Sequence, residues 1–183
     1  MTDEIRNGDV LAVHTITKWY KPQTWLSARI RQTTKSEWNH VALIVENGDG
    51  QYDVVEALFL GGVVRRSLMV YADAAKYRVA IYRPREHVFV VSPAVIGQDR
   101  VAEWAIRQVG AAYSWLNILK IRALQVLFRN DLVGKIQIPG MSVEPGFICS
   151  GLVTRAWWQV GVTLGGEFAD PQTVIEHCER RVL

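Results

Sequence analysis

The sequence is short of cysteine, of metal-ligand pairs and of long apolar runs, and each shortage excludes a class of protein. Two cysteines in 183 residues, Cys149 and Cys178, leave room for one bridge at most, so a disulfide scaffold is excluded. No His-x-x-x-His and no Cys-x-x-Cys pair occurs, which removes the common zinc spacings. Gly-x-x-x-x-Gly-Lys and Gly-x-Gly-x-x-Gly are absent too, and with them the usual phosphate cradles. No metal and no cofactor are therefore expected. No uninterrupted apolar run approaches the ~20 residues of a membrane helix. The polar opening Met1-Thr2-Asp3-Glu4-Ile5-Arg6-Asn7 holds no apolar signal core, so a cytoplasmic location is the default expectation, with delivery to the cell wall by another route left open. The net charge is only +3 and the basic residues are scattered, so no nucleic-acid partner is expected.

What is there suits one globular domain spanning residues 1–183, with 49% of residues apolar and enough chain to bury a core. The seven tryptophans suit core packing or the lining of a groove. Gly8 to His14 reads as a turn and a short strand. His40-Val41-Ala42-Leu43-Ile44-Val45 is a branched apolar run, expected as a buried strand. Asn47-Gly48-Asp49-Gly50 is a turn that folds Tyr52–Leu58 back antiparallel beside it. Val63–Arg66 and Tyr77–Tyr82 are further strands. A helix or helical loop is expected over about Lys18–Thr33, and helices over Asp99–Val109 with Val101, Ala105 and Val109 on one face and Gly110 closing it, and from Cys149 to Gly161. A last helix is expected from Asp170-Pro171 to about Arg180, holding His177 and Cys178. His87–Val91 reads as strand or connector and Asp131–Pro145 as a long loop. Trp115–Phe128 is apolar with Lys120, Arg122 and Arg129 interleaved. It reads as a core helix, a lid or an interfacial helix, and is the one stretch that suggests membrane contact. The expected fold class is α+β, a central antiparallel sheet with flanking helices.

The chemistry centres on Gly146-Phe147-Ile148-Cys149-Ser150-Gly151-Leu152-Val153. Loop, cysteine, then helix places a sulfur where unpaired N–H groups and the helix dipole favour the thiolate. A buried cysteine acting as a small hydrophobe is the plain alternative. A cysteine nucleophile needs a base, and the base an orienting group. Of the four histidines, His40 is the first choice because it opens a buried strand, and His14 the second. Glu56 lies on the strand folded back beside His40, where a carboxylate can fix the imidazole. A glutamate between Val55 and Ala57 otherwise requires a wet face.

The order Gly8-Asp9-Val10-Leu11, Trp38-Asn39-His40-Val41-Ala42-Leu43-Ile44, Asp53-Val54-Val55-Glu56-Ala57, Gly110-Ala111-Ala112-Tyr113, then Phe147-Ile148-Cys149-Ser150-Gly151-Leu152-Val153 resembles the circularly permuted, YiiX/YebB-like, papain-related branch of the NlpC/P60 superfamily. The resemblance implies a permuted papain-like fold in which the histidine strand precedes the cysteine helix. It implies Cys149 as nucleophile, His40 as base, Glu56 as third member and Tyr113 at the active site, where its hydroxyl helps bind the oxyanion. Ser114 and Gly151 depart from the branch, which has acidic residues at the matching positions. The implied activity is that of a cysteine peptidase or amidase working through a thioester, with peptide or cell-wall peptide as substrate. Acyl-lipid substrates and a non-catalytic binding module on the same fold are the alternatives.

Overall fold

A computed structural model describes residues 4–16, 36–85, 97–114, 146–166 and 169–181. The expected elements at Lys18–Thr33, His87–Val91, Trp115–Phe128 and Asp131–Pro145 lie outside the described residues. Six strands form one sheet: β1 (Val10–Thr15), β2 (His40–Glu46), β3 (Tyr52–Leu58), β4 (Gly62–Ser67), β5 (Tyr77–Pro84) and β6 (Cys178–Arg181), in the order β4-β3-β2-β1-β5-β6. Every neighbouring pair is antiparallel. Among the described residues three α-helices accompany it: α1 (Gln98–Arg107), α2 (Cys149–Trp158) and α3 (Pro171–Glu176). The protein is thus α+β.

The apolar runs of β1 and β2 do not alternate with polar residues because both faces of the sheet centre are covered. Val10, Ala12, Val41, Leu43, Val45, Val55 and Ala57 form a core with Val101 and Ala105 of α1 and with Leu152, Val153, Ala156 and Trp157 of α2. By the period of two, Leu11, Val13, Ala42, Ile44 and Val54 face the opposite way and gather around Tyr71. At ~1.5–3 kcal/mol per fully buried large apolar side chain, the double-sided burial of β1 and β2 is a large favourable contribution to folding. Trp157 anchors α2 to the start of β1 by donating from Nε1 to the Gly8 carbonyl at 3.1 Å. The buried Asp9 carboxylate is held at both oxygens by Arg83 of β5, at 2.7 and 2.8 Å, which satisfies a charge that burial would otherwise make costly.

The last helix is shorter than its sequence suggests. It starts as expected, with the Asp170 side chain accepting from the Thr173 amide at 2.8 Å and Pro171 in the first turn, but it stops at Glu176. His177 caps it and Cys178–Arg181 is strand, paired with Ile81–Pro84. The outer edge of β5 offers unpaired backbone groups, and satisfying them outweighs prolonging the helix. Similarly, α1 ends at Arg107, so the helical period no longer governs Val109, which is 45% exposed and not on the buried face. Both cysteines are free thiols. Among the described residues no helix is long and apolar enough to cross a membrane.

Candidate active site

The site forms where two strands part. The β2–β3 ladder runs from Glu46↔Tyr52 to Leu43↔Val55 and stops there. Beyond it, among the described residues, His40 to Ala42 of β2 pair with β1 on the other side and with no second strand. The start of α2 fills the opening, and the Val41 N–H donates to the Cys149 sulfur. Ile148 is the N-cap residue, with no side-chain cap and no acid in the first turn. The first amides of α2 are therefore left for an anion, and the Ser150 N–H also points to the sulfur.

His40 bridges the cysteine and Glu56. Its Nε2 lies 2.5 Å from Glu56 Oε2, which leaves Nδ1 for the hydrogen bond with the Cys149 side chain. The His40 side chain is only 14% exposed. Burial by itself would strip its proton. The hydrogen bonds with Cys149 and Glu56, and their negative charge, reverse this and raise its pKa from 6.5 to about 10. For Cys149 burial opposes the thiolate. The hydrogen bond and charge of His40, with the two amides, outweigh it and bring the thiol below its ordinary value. The directions agree: the imidazolium favours the thiolate and the thiolate favours the imidazolium.

Glu56 is fully buried, so the wet-face alternative does not hold. Burial pushes its carboxyl up, but the hydrogen bond and charge of His40, then Tyr71 and Arg66, hold it at about 2. Arg66 Nε donates to Oε1 at 2.5 Å and the Tyr71 hydroxyl to Oε2 at 2.6 Å. Neither partner stands out in the sequence. The signal for Arg66 is its position on β4: Val64 lies opposite Glu56 and Arg66 opposite Val54, so both share the Glu56 face.

Tyr113 reaches the site through backbone pairing. The segment Gly110–Ser114 runs from β4 to the approach to α2. Val63 N–H donates to the Ala111 carbonyl at 2.8 Å, Phe147 N–H to Ala112 at 3.0 Å and Ser114 N–H to Phe147 at 3.1 Å. Gly62, at φ +66°, permits this closeness: a Cβ there would meet the Ala111 oxygen at 2.3 Å. Burial, then the nearby charge of Cys149, pushes the Tyr113 hydroxyl upward, so it stays protonated.

The other histidines stand apart. His14 Nδ1 is 2.7 Å from the Glu37 carbonyl and His177 Nδ1 2.8 Å from the Thr173 carbonyl, and His87 lies outside the described residues. The second choice of base, His14, is thus engaged elsewhere. Cys178 is buried, donates to the Val174 carbonyl at 3.3 Å and is pushed by burial up to about 12. Among the described residues no cluster of three or more metal-ligating side chains occurs. Compared with protein-family models and with curated proteins, the chain returns no match.

Proposed function

We propose that the protein is a cysteine hydrolase that cleaves an amide through a thioester, on the permuted papain-like NlpC/P60 plan that its motif order resembles. The observation that carries this reading is the hydrogen-bonded series Cys149–His40–Glu56 at the start of α2. A nucleophile, a base and a fixed orienter in mutual reach are the parts that covalent acyl transfer requires.

In the proposed reaction the Cys149 thiolate attacks the amide carbonyl and a C–S bond forms. The oxyanion takes hydrogen bonds from the Cys149 N–H and the Tyr113 hydroxyl. As the tetrahedral intermediate collapses the C–N bond breaks, and the His40 imidazolium gives its proton to the departing amine. Neutral His40 then takes a proton from water, whose oxygen attacks the thioester, and the acid leaves as the thiolate re-forms beside protonated His40. Glu56 stays ionised throughout and keeps the imidazole in one tautomer.

Peptides, cell-wall peptides among them, are the substrates this reading puts first. The acyl-lipid alternative depends on Trp115–Arg129, which lies outside the described residues. A binding module without catalysis does not call for a cysteine hydrogen-bonded to a histidine that a buried carboxylate holds. The test is release of amines from cross-linked cell-wall peptides and from a peptide library, in wild type, Cys149→Ala and His40→Ala. Turnover in wild type alone is expected. Turnover that survives Cys149→Ala would refute the proposal.

A further inference from the structure

We infer that Arg66 and Tyr71 are positioning residues, which hold the Glu56 carboxylate ionised and aimed at His40 while the charge on His40 changes during turnover. The inference rests on the reading of Cys149, His40 and Glu56 as the reacting series.

Glu56 is 0% exposed. A buried carboxylate facing a neutral group takes up a proton or destabilises the fold. His40 cannot prevent that alone, because in the proposed cycle it gives its proton to the leaving group and is briefly neutral. A guanidinium does not cycle. Arg66 Nε holds Oε1 and so leaves Oε2 to His40. With both oxygens fixed, the carboxylate cannot rotate away when the imidazole changes charge.

Tyr71 completes a closed ring. Its hydroxyl donates to Glu56 Oε2 at 2.6 Å and accepts from Arg66 Nη2 at 3.0 Å. The Arg66 guanidinium also lies over the Tyr71 ring, 5.2 Å from its centroid. Because a lone pair of the Tyr71 oxygen takes the arginine N–H, its proton is directed at Glu56. The chain makes this ring locally: the 3-10 turn Leu68–Tyr71 follows β4 directly, capped by the Ser67 hydroxyl accepting from the Met69 amide. The turn brings Tyr71 back beneath Arg66. The groups that face Glu56 are then His40 from β2, Arg66 from β4 and Tyr71 from the turn. Among the described residues the sulfur is bonded by His40 and the amides of Val41 and Ser150, and its charge acts on Tyr113.

The experiment is the pH profile of Cys149 alkylation by iodoacetamide, which needs no substrate. It is read in wild type, Arg66→Met, Arg66→Lys and Tyr71→Phe, with circular dichroism and melting to verify the fold. Arg65→Met is the control, since Arg65 pairs with Asp53 instead. Wild type should show an acid limb below the ~8.5 of a free thiol. In Arg66→Met that limb should move up by about one pH unit, a roughly tenfold loss of rate at a fixed pH on the limb. Arg66→Lys should restore part of the shift, Tyr71→Phe should shift less, and Arg65→Met should match wild type. Folded Arg66→Met and Tyr71→Phe proteins with the wild-type limb would overturn the positioning role and leave the reacting series standing. Should Arg66→Met fail to fold, an unmoved limb in both Tyr71→Phe and Arg66→Lys overturns it equally. An ordinary thiol titration in wild type would overturn the reacting series itself, and this inference with it.

Discussion

Glu56→Gln removes one charge from the centre of the protein while keeping the size of the side chain, and its effect on stability can be worked from the structure. The carboxyl of Glu56 drops from 4.5 to about 2 on folding, against the opposing effect of burial. A folded-state pKa below the unfolded one means that the ionised group favours folding. That contribution is complete above pH 4.5 and is lost as the pH falls through about 2. The size of the drop corresponds to about 3 kcal/mol, within the range for removing one partner of a buried ion pair. Urea unfolding of wild type and Glu56→Gln at stepped pH between about 7 and 2 measures it. The wild-type advantage should be constant above about pH 5 and shrink by about 3 kcal/mol toward pH 2. The other acids are common to both proteins and cancel in the difference. An advantage that stays unchanged across that acid range would show that Glu56 is not held ionised by its three partners.

In the folded protein iodoacetamide should modify Cys149 and spare Cys178, whose thiol is buried and raised to about 12; mass spectrometry of the labelled peptides decides, and equal labelling contradicts the assignment. Tyr113→Phe should lower kcat about a hundredfold with KM little changed, as loss of one oxyanion donor does, and full kcat would remove Tyr113 from the site. Turnover should fall as pH rises through about 10, where His40 loses the proton that the proposed reaction gives to the leaving group; a decline centred near the ordinary imidazole value of 6.5 would mean that the imidazolium is not stabilised. Gly62→Ala sets a Cβ 2.3 Å from the Ala111 oxygen at a positive φ, so it should cost about 1–3 kcal/mol and slow turnover by moving Tyr113; a wild-type melting temperature would refute the close approach.

Much of the site is legible in the sequence because its parts are local. The Asn47–Gly50 turn sets β3 beside β2, and that pairing puts Glu56 near His40. The position of Cys149 at a helix start follows from the loop before it and the apolar period after it. Arg66 and Tyr71 are not legible as partners of Glu56. An arginine in an edge strand and a tyrosine in a following turn have many equivalent uses, and only the register and the path of the chain choose among them.

Residue order alone determined the strands β1 to β5, the turns between several of them, and the starts of α2 and α3. Each depends on periodicity, turn residues and capping within a few neighbours. Tertiary structure decided the rest. It turned Cys178–Arg181 from helix into strand, because the edge of β5 needed backbone partners. It brought His40 rather than His14 to Cys149, because the β2 end beyond the β3 ladder lies beside the start of α2, whereas His14 is taken up by the Glu37 carbonyl. It made Glu56 a fully buried anion held by three side chains. Contacts between residues far apart in sequence arise from packing the whole sheet against its helices, and no short window of residues encodes them.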